Sequence, residues 1–302
     1  MRALVPSNDD ALVKMDDVDA PSAGRGEVLI DVEAFSVNRG ELSLLADPRP
    51  DWRPGQDLAG TVVTSKVDGI APGTRVVALA DWEGWAEHVV VPASRVAAIP
   101  DDMSTAQAAV LPLAGVTALR LLRRAGSMLG VRMLATGASG GVGHIVTELA
   151  TNAGAEVTVV TRSQERGEVL RELGAAEVVH DIDDADGPFE VVLESVAGEA
   201  FAAALRKTAP DGLILWYGRA SGPAVTVPFA DAMAAHGVRI EVFSHHYTPA
   251  ARDDDVATLV GLVADGRLHV EIGRTESWTQ TSQVLADLRD RKIRGKAVLL
   301  VD

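Results

Sequence analysis

The stretch 131-VRMLATGASGGVG-143 joins a short apolar strand to a glycine-rich turn and then to an amphipathic helix. Gly137, Gly140 and Gly143 recur at every third position of this turn, which lets the backbone approach a ligand closely. The first amides of the following helix and its dipole favour a pyrophosphate group. Because a glycine triplet alone is weak evidence, the flanking segments decide what it indicates.

The segments after the turn alternate between helix and strand. A helix is predicted over 141–152, with these apolar residues on one face: Val142, Ile145, Val146, Leu149 and Ala150. Further helices are predicted at 164–173 and 198–207, and strands at 156–162, 177–180, 189–195 and 213–218. This alternation predicts an α/β fold with a doubly wound parallel sheet of the Rossmann type.

The end of the second predicted strand indicates which dinucleotide is bound. A carboxylate there would accept a hydrogen bond from the free ribose 2′-hydroxyl of NAD, but this chain has Thr161, Arg162 and Ser163. A guanidinium flanked by two hydroxyls suits the additional 2′-phosphate of NADP. The alternative is that Arg162 only begins a solvated helix surface, to which Glu165 also belongs. We predict NADP(H) as the cofactor.

The same glycine turn also fits a hydrolase motif. The sequence 137-GASGG-141 matches the GxSxG nucleophile elbow, with Ser139 as nucleophile, a carboxylate among 181–186 as orienting group and His236 or His269 as base. The chain lacks an upstream HGGG-like oxyanion loop, and the hydrolase hypothesis leaves the third glycine unexplained. The dinucleotide interpretation is therefore preferred.

Composition restricts the classes of partner. The 302 residues include 28 Lys and Arg against 43 Asp and Glu, a net charge of −15, which disfavours nucleic acid and anionic membranes as partners. No cysteine is present, which excludes disulfides, thiolate nucleophiles and cysteine-ligated metal sites. No apolar run is long enough to span a bilayer, so a cytoplasmic protein is predicted.

The glycine turn lies between two segments of a different character. Residues 1–113 contain short strands broken by Gly and Pro, a pattern typical of a mostly antiparallel β-domain of barrel or rolled-sheet type. After residue 247 the chain is expected to return to this domain. The predicted organisation is therefore a discontinuous β-domain of 1–113 and 248–302 with a nucleotide-binding domain of 114–247.

Eight motifs occur in the order of one known family: PGQDLAG, GTRVVAL, WAEHVVVP, LPLAGVTALRLL, GASGGVG, LGAAEVV, VVLESVAGEAF and RGKAVLLV. This order, which covers essentially the whole chain, resembles the zinc-free branch of the medium-chain dehydrogenase/reductase superfamily, which includes quinone oxidoreductases and enoyl or alkenal reductases. The resemblance implies a GroES-like catalytic domain, a Rossmann domain, NADPH as hydride donor and a homodimer joined through the edges of the Rossmann sheets.

The resemblance also implies roles for individual residues. The turn residues are expected to hold the pyrophosphate: Gly137, Ser139, Gly140, Gly141, Val142 and Gly143. Thr117 is expected near the nicotinamide or phosphate, with a helix cap as the alternative. Tyr217, Gly218 and Arg219 follow a strand at the ligand-binding edge of the sheet. Tyr217 is expected to contact ribose or nicotinamide and is a candidate catalytic residue; the alternative is that it only packs.

The resemblance assigns the catalytic domain fewer residues. Asn38 is expected to face the substrate, while Glu41 stands where an aspartate is usual and Arg39 adds a guanidinium. The loop 42–55 contains no tyrosine to donate a proton, so His245, His246 and Tyr247 are the candidates.

At the positions of the zinc ligands in zinc-dependent relatives, the chain has Asn38, Gln56 and an apolar stretch near Leu113. Since neutral amides are poor zinc ligands, no metal is predicted. The predicted function is a reductase of a quinone or of the C=C bond of a conjugated carbonyl. The alternative is an NADP(H)-binding sensor or scaffold with little turnover.

Overall fold

We describe a computed structural model of the chain over residues 1–7, 9–245 and 254–302. Grouping residues by spatial proximity gives two compact units: Met1–Val116 with Arg252–Asp302, and Thr117–Ala251. We call them the catalytic unit and the nucleotide unit. No helix among the described residues is long and apolar enough to cross a membrane.

Strands and helices alternate along the chain in three parts. The first part contains β1 (Arg2–Pro6), β2 (Val13–Asp17), β3 (Glu27–Val37), α1 (Arg39–Ala46), β4 (Asp57–Ser65), β5 (Arg75–Leu79), β6 (His88–Pro92), β7 (Val96–Ala98), α2 (Thr105–Ala109) and α3 (Pro112–Ala125). The middle contains β8 (Arg132–Ala135), α4 (Gly141–Asn152), β9 (Glu156–Val160), α5 (Gln164–Glu172), β10 (Glu177–Val179), β11 (Phe189–Glu194), α6 (Glu199–Arg206), β12 (Thr208–Trp216), α7 (Phe229–Ala234) and β13 (Arg239–Val242). The last part contains α8 (Asp255–Ala264), β14 (Ile272–Ser277), α9 (Thr281–Arg289) and β15 (Lys296–Leu300).

The catalytic unit is built on a seven-stranded sheet with the order β14-β15-β3-β4-β5-β7 and with β6 also paired to β3. All of its pairs are antiparallel except β14 with β15. Strand β3 is eleven residues long, and its pairing with β4 shifts register at two places, which bends the sheet over its core. Phe35 and Trp85 stack in that core with ring centroids 5.4 Å apart. The prediction of a mostly antiparallel domain is confirmed.

The nucleotide unit contains a six-stranded parallel sheet with the order β10-β9-β8-β11-β12-β13. The strand order reverses between β8 and β11, where ligands bind at the carboxyl edge of a doubly wound sheet. The predicted Rossmann fold is confirmed. Helix α4 has the predicted bounds, because the glycine turn that begins it is a local signal.

The buried face of α4 differs from the predicted one. Val142 and Leu149 are only half-buried, whereas His144 and Thr147 are buried. The Thr147 hydroxyl donates to the Gly143 carbonyl at 2.7 Å, and His144 Nδ1 lies 3.1 Å from a carbonyl one turn earlier in the helix. The apolar periodicity does not predict His144 and Thr147 on the buried face, because their side chains are polar. These contacts within the helix give their polar atoms partners and so allow burial.

Candidate cofactor site and active site

The glycine turn after β8 leaves no space for a side chain at Gly137 or at Gly143. Gly137 has φ +63, and a Cβ there would lie 2.5 Å from Ser195 Oγ. A Cβ on Gly143 would lie 2.3 Å from the carbonyl oxygen of Ala138. The N-cap of α4 is Gly140, which caps the helix with no side chain, and no acidic residue lies in the first turn. The first amides of α4 are thus left for a ligand, and the turn fits the diphosphate of a dinucleotide.

A buried carboxyl group supports this turn from the next strand. Glu194, at the end of β11, accepts hydrogen bonds from the Val196 amide at 2.8 Å, the Ala197 amide at 3.0 Å and Thr136 Oγ1 at 3.1 Å. Thr136 Oγ1 in turn accepts from the Ser195 amide at 2.9 Å. Burial raises the pKa of Glu194, and these hydrogen bonds act against that rise. The turns after β8 and β11 are therefore held together by side chains that the sequence analysis did not identify.

The segment after β12 also lies beside Ser195. A Cβ on Gly218 would lie 2.7 Å from the Ser195 carbonyl oxygen, so Gly137 and Gly218 both contact Ser195. Tyr217 is half-buried; burial raises its pKa to about 12, and a hydrogen bond with Ser195 acts in the opposite direction. Its phenol is therefore a neutral hydrogen-bonding group at physiological pH. Arg219 is exposed.

At the end of β9 the three predicted residues differ in environment. Arg162 is exposed and makes no ion pair within the described part of the chain. Ser163 is the N-cap of α5, where its hydroxyl accepts from the Arg166 amide at 3.4 Å. Thr161 is buried. His180, which the sequence analysis placed only at a strand end, lies beside them, with Nδ1 at 2.7 Å from the Thr161 carbonyl oxygen.

Thr117 lies within α3, which begins at Pro112. It is buried and lies five residues beyond the helix start. The alternative that Thr117 caps a helix is therefore wrong, whereas its predicted contact with the cofactor stays a prediction.

In the catalytic unit, Asn38 lies between two buried charges. Its Nδ2 donates to Asp57 Oδ2 at 2.9 Å, and its Oδ1 accepts from Lys296 Nζ at 2.5 Å. Lys296 and Asp57 form an ion pair of 3.0 Å, with side chains 6 % and 0 % exposed. Sequence reasoning identified Asn38 by resemblance but missed both of its partners. The available signal for Lys296 was a single charge at the start of the apolar strand β15.

Glu41 closes the same region from the first turn of α1. Its Oε2 accepts from the Asn38 amide at 2.7 Å, and its residue is 1 % exposed. Burial raises the pKa of Glu41 to about 8; the bond from Asn38 lowers it, and the charge of Asp57 raises it. Within the described residues, Glu41 Oε1 and Gln56 Nε2 are buried without a hydrogen-bond partner. Burial therefore favours the protonated form of the Glu41 carboxyl group far more than in an exposed glutamate.

The unusual Arg39 does not disturb this arrangement. Its Nη2 donates to the carbonyl oxygen of Leu288 at 2.7 Å, which ties the side chain to α9. Burial lowers the pKa of the Arg39 guanidinium, and the charge of Arg291 adds to that effect.

The predicted group of residues at 245–247 is only partly described. His245 is half-buried, and its carbonyl accepts from Arg120 Nη1 at 2.5 Å. His246 and Tyr247 lie outside the described residues.

Topology separates Ser139 from His236, one of the two candidate bases of the hydrolase alternative. Ser139 follows the carboxyl end of β8, whereas the His236 carbonyl accepts from the Asp211 amide near the start of β12. Since β8 and β12 both run parallel to β11, Ser139 and His236 lie at opposite edges of the sheet.

Two family models match the chain and together cover about two-thirds of it. The alcohol dehydrogenase GroES-like domain matches residues 24–101, and the zinc-binding dehydrogenase model matches residues 141–264. The first lies within the catalytic unit, and the second covers most of the nucleotide unit.

The zinc of the second model's name does not fit the residues present. The chain has no cysteine, and Asn38 and Gln56 supply neutral amides. Lys296 donates to both Asn38 and Asp57, so an ammonium group already neutralises the buried carboxylate of this cluster. Within the described residues no group of three or more His, Asp or Glu can hold a metal ion. This donor set is unsuited to zinc.

Individual relatives have related activities in their names. The quinone oxidoreductase-like protein 2 of Bos taurus is 27% identical over 266 residues, which is 82% of this chain and 76% of the relative. The 2-haloacrylate reductase of a Burkholderia species is 27% identical over 202 residues, covering 62% of this chain and 60% of the relative.

Among solved structures, a mycobacterial protein complexed with NADPH superposes with a TM-score of 0.89 at 27% identity, covering 99% of this chain and 100% of the other. The two domain models, the relatives and this superposition agree with the fold and the motif order. The chain belongs to the medium-chain dehydrogenase/reductase superfamily.

Proposed function

We propose that this protein is an NADPH-dependent, zinc-independent reductase that transfers hydride to a quinone or to the C=C bond of an α,β-unsaturated carbonyl compound. The observation that carries the proposal is the glycine turn, where Gly137 and Gly143 have no space for a Cβ and where α4 has no side-chain cap. Both features support a dinucleotide site at this turn. Bound NADPH would supply the hydride.

The preference for NADPH rests on the end of β9. Arg162 is exposed there and free of ion pairs with the described residues, so its guanidinium is available to a 2′-phosphate. Ser163 contributes less to the proposal, because its hydroxyl caps α5. The NADPH complex of the similar mycobacterial protein supports the same cofactor.

The class of acceptor rests on the catalytic unit. With a donor set unsuited to zinc, a carbonyl oxygen must be polarised by hydrogen bonds, and Asn38 is the half-buried amide in the position to donate one. Hydrogen bonds alone suit activated acceptors better than simple ketones. The names of the relatives, a quinone oxidoreductase-like protein and a 2-haloacrylate reductase, support quinones and conjugated C=C bonds as acceptors.

The remaining residue roles are part of the proposal. Thr117 and Tyr217 are assigned to the cofactor, and Tyr217 is neutral and hydrogen-bonding at physiological pH. Tyr247 is retained as a candidate proton donor outside the described residues. We also propose a cytoplasmic location, which the sequence predicts.

We also propose a homodimer formed through β13, the last strand of the parallel sheet. Val242 is 78% exposed on this strand and Ile240 is 47% exposed. Phe229 and Met233 on α7 are exposed as well. An apolar strand edge of this kind is a template for pairing with another strand. Sedimentation equilibrium tests the assignment, and Val242→Lys should shift the protein to monomer.

The acceptor panel is the test of the function. Purified protein with NADPH is given 1,4-benzoquinone, 2-cyclohexenone and cyclohexanone in separate assays, and NADPH oxidation is followed by absorbance. Oxidation with the first or second compound and none with the saturated ketone is expected. Oxidation with cyclohexanone alone would indicate a carbonyl reductase. Binding of NADPH without oxidation by any acceptor would favour the sensor alternative.

A further inference from the structure

Lys296 begins β15 and is almost fully buried. Its ammonium group has three N–H donors, and three oxygens surround it: the Val37 carbonyl at 3.0 Å, Asn38 Oδ1 at 2.5 Å and Asp57 Oδ2 at 3.0 Å. Donors and acceptors are therefore matched in number. No N–H of this buried ammonium is therefore left without an acceptor.

Asp57 is held as firmly from the other side. Its Oδ1 accepts from the Leu113 amide at 2.6 Å at the start of α3, and its Oδ2 also accepts from Ser36 Oγ at 2.5 Å. Together with Lys296 and Asn38, these bonds connect β3, β4, β15 and α3. The carboxylate therefore has no freedom to rotate away from Asn38.

The consequence is a single orientation of the Asn38 amide. Its carbonyl oxygen faces the Lys296 cation, and one N–H faces the Asp57 anion. A flipped amide would place N–H against the ammonium and C=O against the carboxylate, so both hydrogen bonds would become repulsive contacts. The half-buried amide keeps one further N–H beyond these two bonds.

We infer that Lys296 and Asp57 are positioning residues, which lock the Asn38 amide so that its second N–H, and not its carbonyl, is offered to the acceptor's carbonyl oxygen. This inference rests on the proposed function and names the residues that orient its acceptor site. Lys296 acts only through Asn38, because all three of its own N–H groups are used. A preoriented donor stabilises negative charge on the acceptor oxygen without reorganisation.

The test compares Lys296→Met with Lys296→Arg, which retains a cation. Lys292→Met is the matched control: it removes a lysine four residues earlier, whose ammonium pairs with Asp287 and Asp290. The side-chain amide resonances of Asn38 are recorded by NMR in protein with NADP⁺, and cyclohexanone is then added as a non-reacting carbonyl probe. Steady-state kinetics with 2-cyclohexenone are measured in parallel.

In the parent protein and in Lys292→Met, cyclohexanone should shift one of the two Asn38 amide protons. In Lys296→Met that shift should disappear and kcat/KM should fall roughly tenfold to hundredfold, the size expected for a misplaced group. Lys296→Arg should restore part of both. An unchanged Asn38 resonance and an unchanged response to cyclohexanone in folded Lys296→Met would overturn the inference.

A second variant covers a failure to fold. Lys296→Met combined with Asp57→Asn removes both charges, so no unpaired buried charge is left. This double variant should lose the cyclohexanone response, and a parent-like response would contradict the inference. If the parent protein oxidises no NADPH but the Asn38 resonances respond as expected, the proposed function fails while the positioning role stands.

Discussion

The glycine turn of the nucleotide unit and the Asn38 cluster of the catalytic unit are built in different ways. The turn is made of backbone: its glycines exclude side chains, and its binding groups are the amides that begin α4. The Asn38 cluster is made of side chains, and its ion pair joins residues 239 positions apart in sequence. The glycine turn itself lies within thirteen consecutive residues and is supported by Glu194 from the next strand, whereas the Asn38 cluster is assembled from four separate segments.

This difference predicts opposite sensitivities. A backbone site is damaged by adding atoms, since a new Cβ has no space. A side-chain site is damaged by removing atoms, since a buried charge loses its partner. Variants of the two sites test that contrast, and the largest effect is expected at Lys296.

Removal of the Lys296 ammonium should have the greatest effect on stability. Lys296→Met leaves the Asp57 carboxylate buried without its cation, which should lower the free energy of unfolding by about 3 to 5 kcal/mol. Urea denaturation measures this change. In the control Lys292→Met the lost lysine is 61% exposed and Arg274 still pairs with Asp287, so the variant should cost less than about 1 kcal/mol. Equal losses of unfolding free energy in the two variants would show that the buried ion pair of Lys296 contributes no more to stability than the ion pairs of Lys292.

Glu41 should make stability depend on pH. Its folded-state pKa of about 8 lies above its ordinary value of 4.5, so between these values the unfolded chain releases a proton that the folded chain keeps. Its contribution to stability is therefore complete below about pH 4.5, is lost as the pH rises to about 8, and is constant above that.

Glu41→Gln should remove the decrease in stability that Glu41 causes as the pH rises. Between pH 5 and 8 the variant should therefore gain a few kcal/mol of stability relative to the parent protein, since one pKa unit corresponds to about 1.4 kcal/mol. Urea denaturation at several pH values measures it. The control is Glu172→Gln at the exposed end of α5, which should follow the parent. A stability difference between Glu41→Gln and the parent that does not change with pH would contradict the raised pKa of Glu41.

Arg162 is the side chain that we propose to bind the cofactor in addition to the backbone amides of the glycine turn. Its replacement therefore tests the cofactor site. Arg162→Ala should weaken NADPH binding by about 1.5 to 3 kcal/mol, the range for a charge-assisted contact, and leave NADH binding unchanged. Calorimetry measures both affinities. Arg171→Ala, which removes an exposed arginine of α5, is the control. An unchanged ratio of the two affinities in Arg162→Ala would remove Arg162 from the site.

Adding one methyl group tests the close packing of the glycine turn itself. Gly143→Ala places a Cβ 2.3 Å from the Ala138 carbonyl oxygen and should cost about 1 to 3 kcal/mol of stability together with weaker NADPH binding. Gly261→Ala, in α8 with open space around it, should stabilise the protein by about 0.5 to 1 kcal/mol. The melting temperature is expected to fall in Gly143→Ala and to rise in Gly261→Ala. A shift of both melting temperatures in the same direction would contradict the close packing of the turn.

The contrast also explains what the sequence could predict. Helix α4 and the alternating elements after it follow from local signals, namely glycine spacing, apolar periodicity and strand length. The bounds of β9 were less accurate, because Ser163 caps α5 and ends the strand before Thr161. Asn38 was found only through resemblance, since a lone Asn after a strand has no distinguishing pattern.

Lys296 and Asp57 could not be paired from the sequence. Their contact depends on β15 and β4 flanking β3 in the folded sheet, which is a property of strand order and not of either segment. The raised pKa of Glu41 depends in the same way on burial that only the fold creates. Side-chain clusters assembled from distant segments are therefore the part of such a site that requires a structure.

Equilibrium binding of NADPH and NADH to the purified protein, measured by calorimetry at one salt concentration, tests the central claim most directly. We expect one NADPH per chain, bound more tightly than NADH by roughly tenfold or more, as one charge-assisted contact to the 2′-phosphate would give. Equal affinities would contradict the NADPH assignment, and binding of neither nucleotide would contradict the dinucleotide site at the glycine turn.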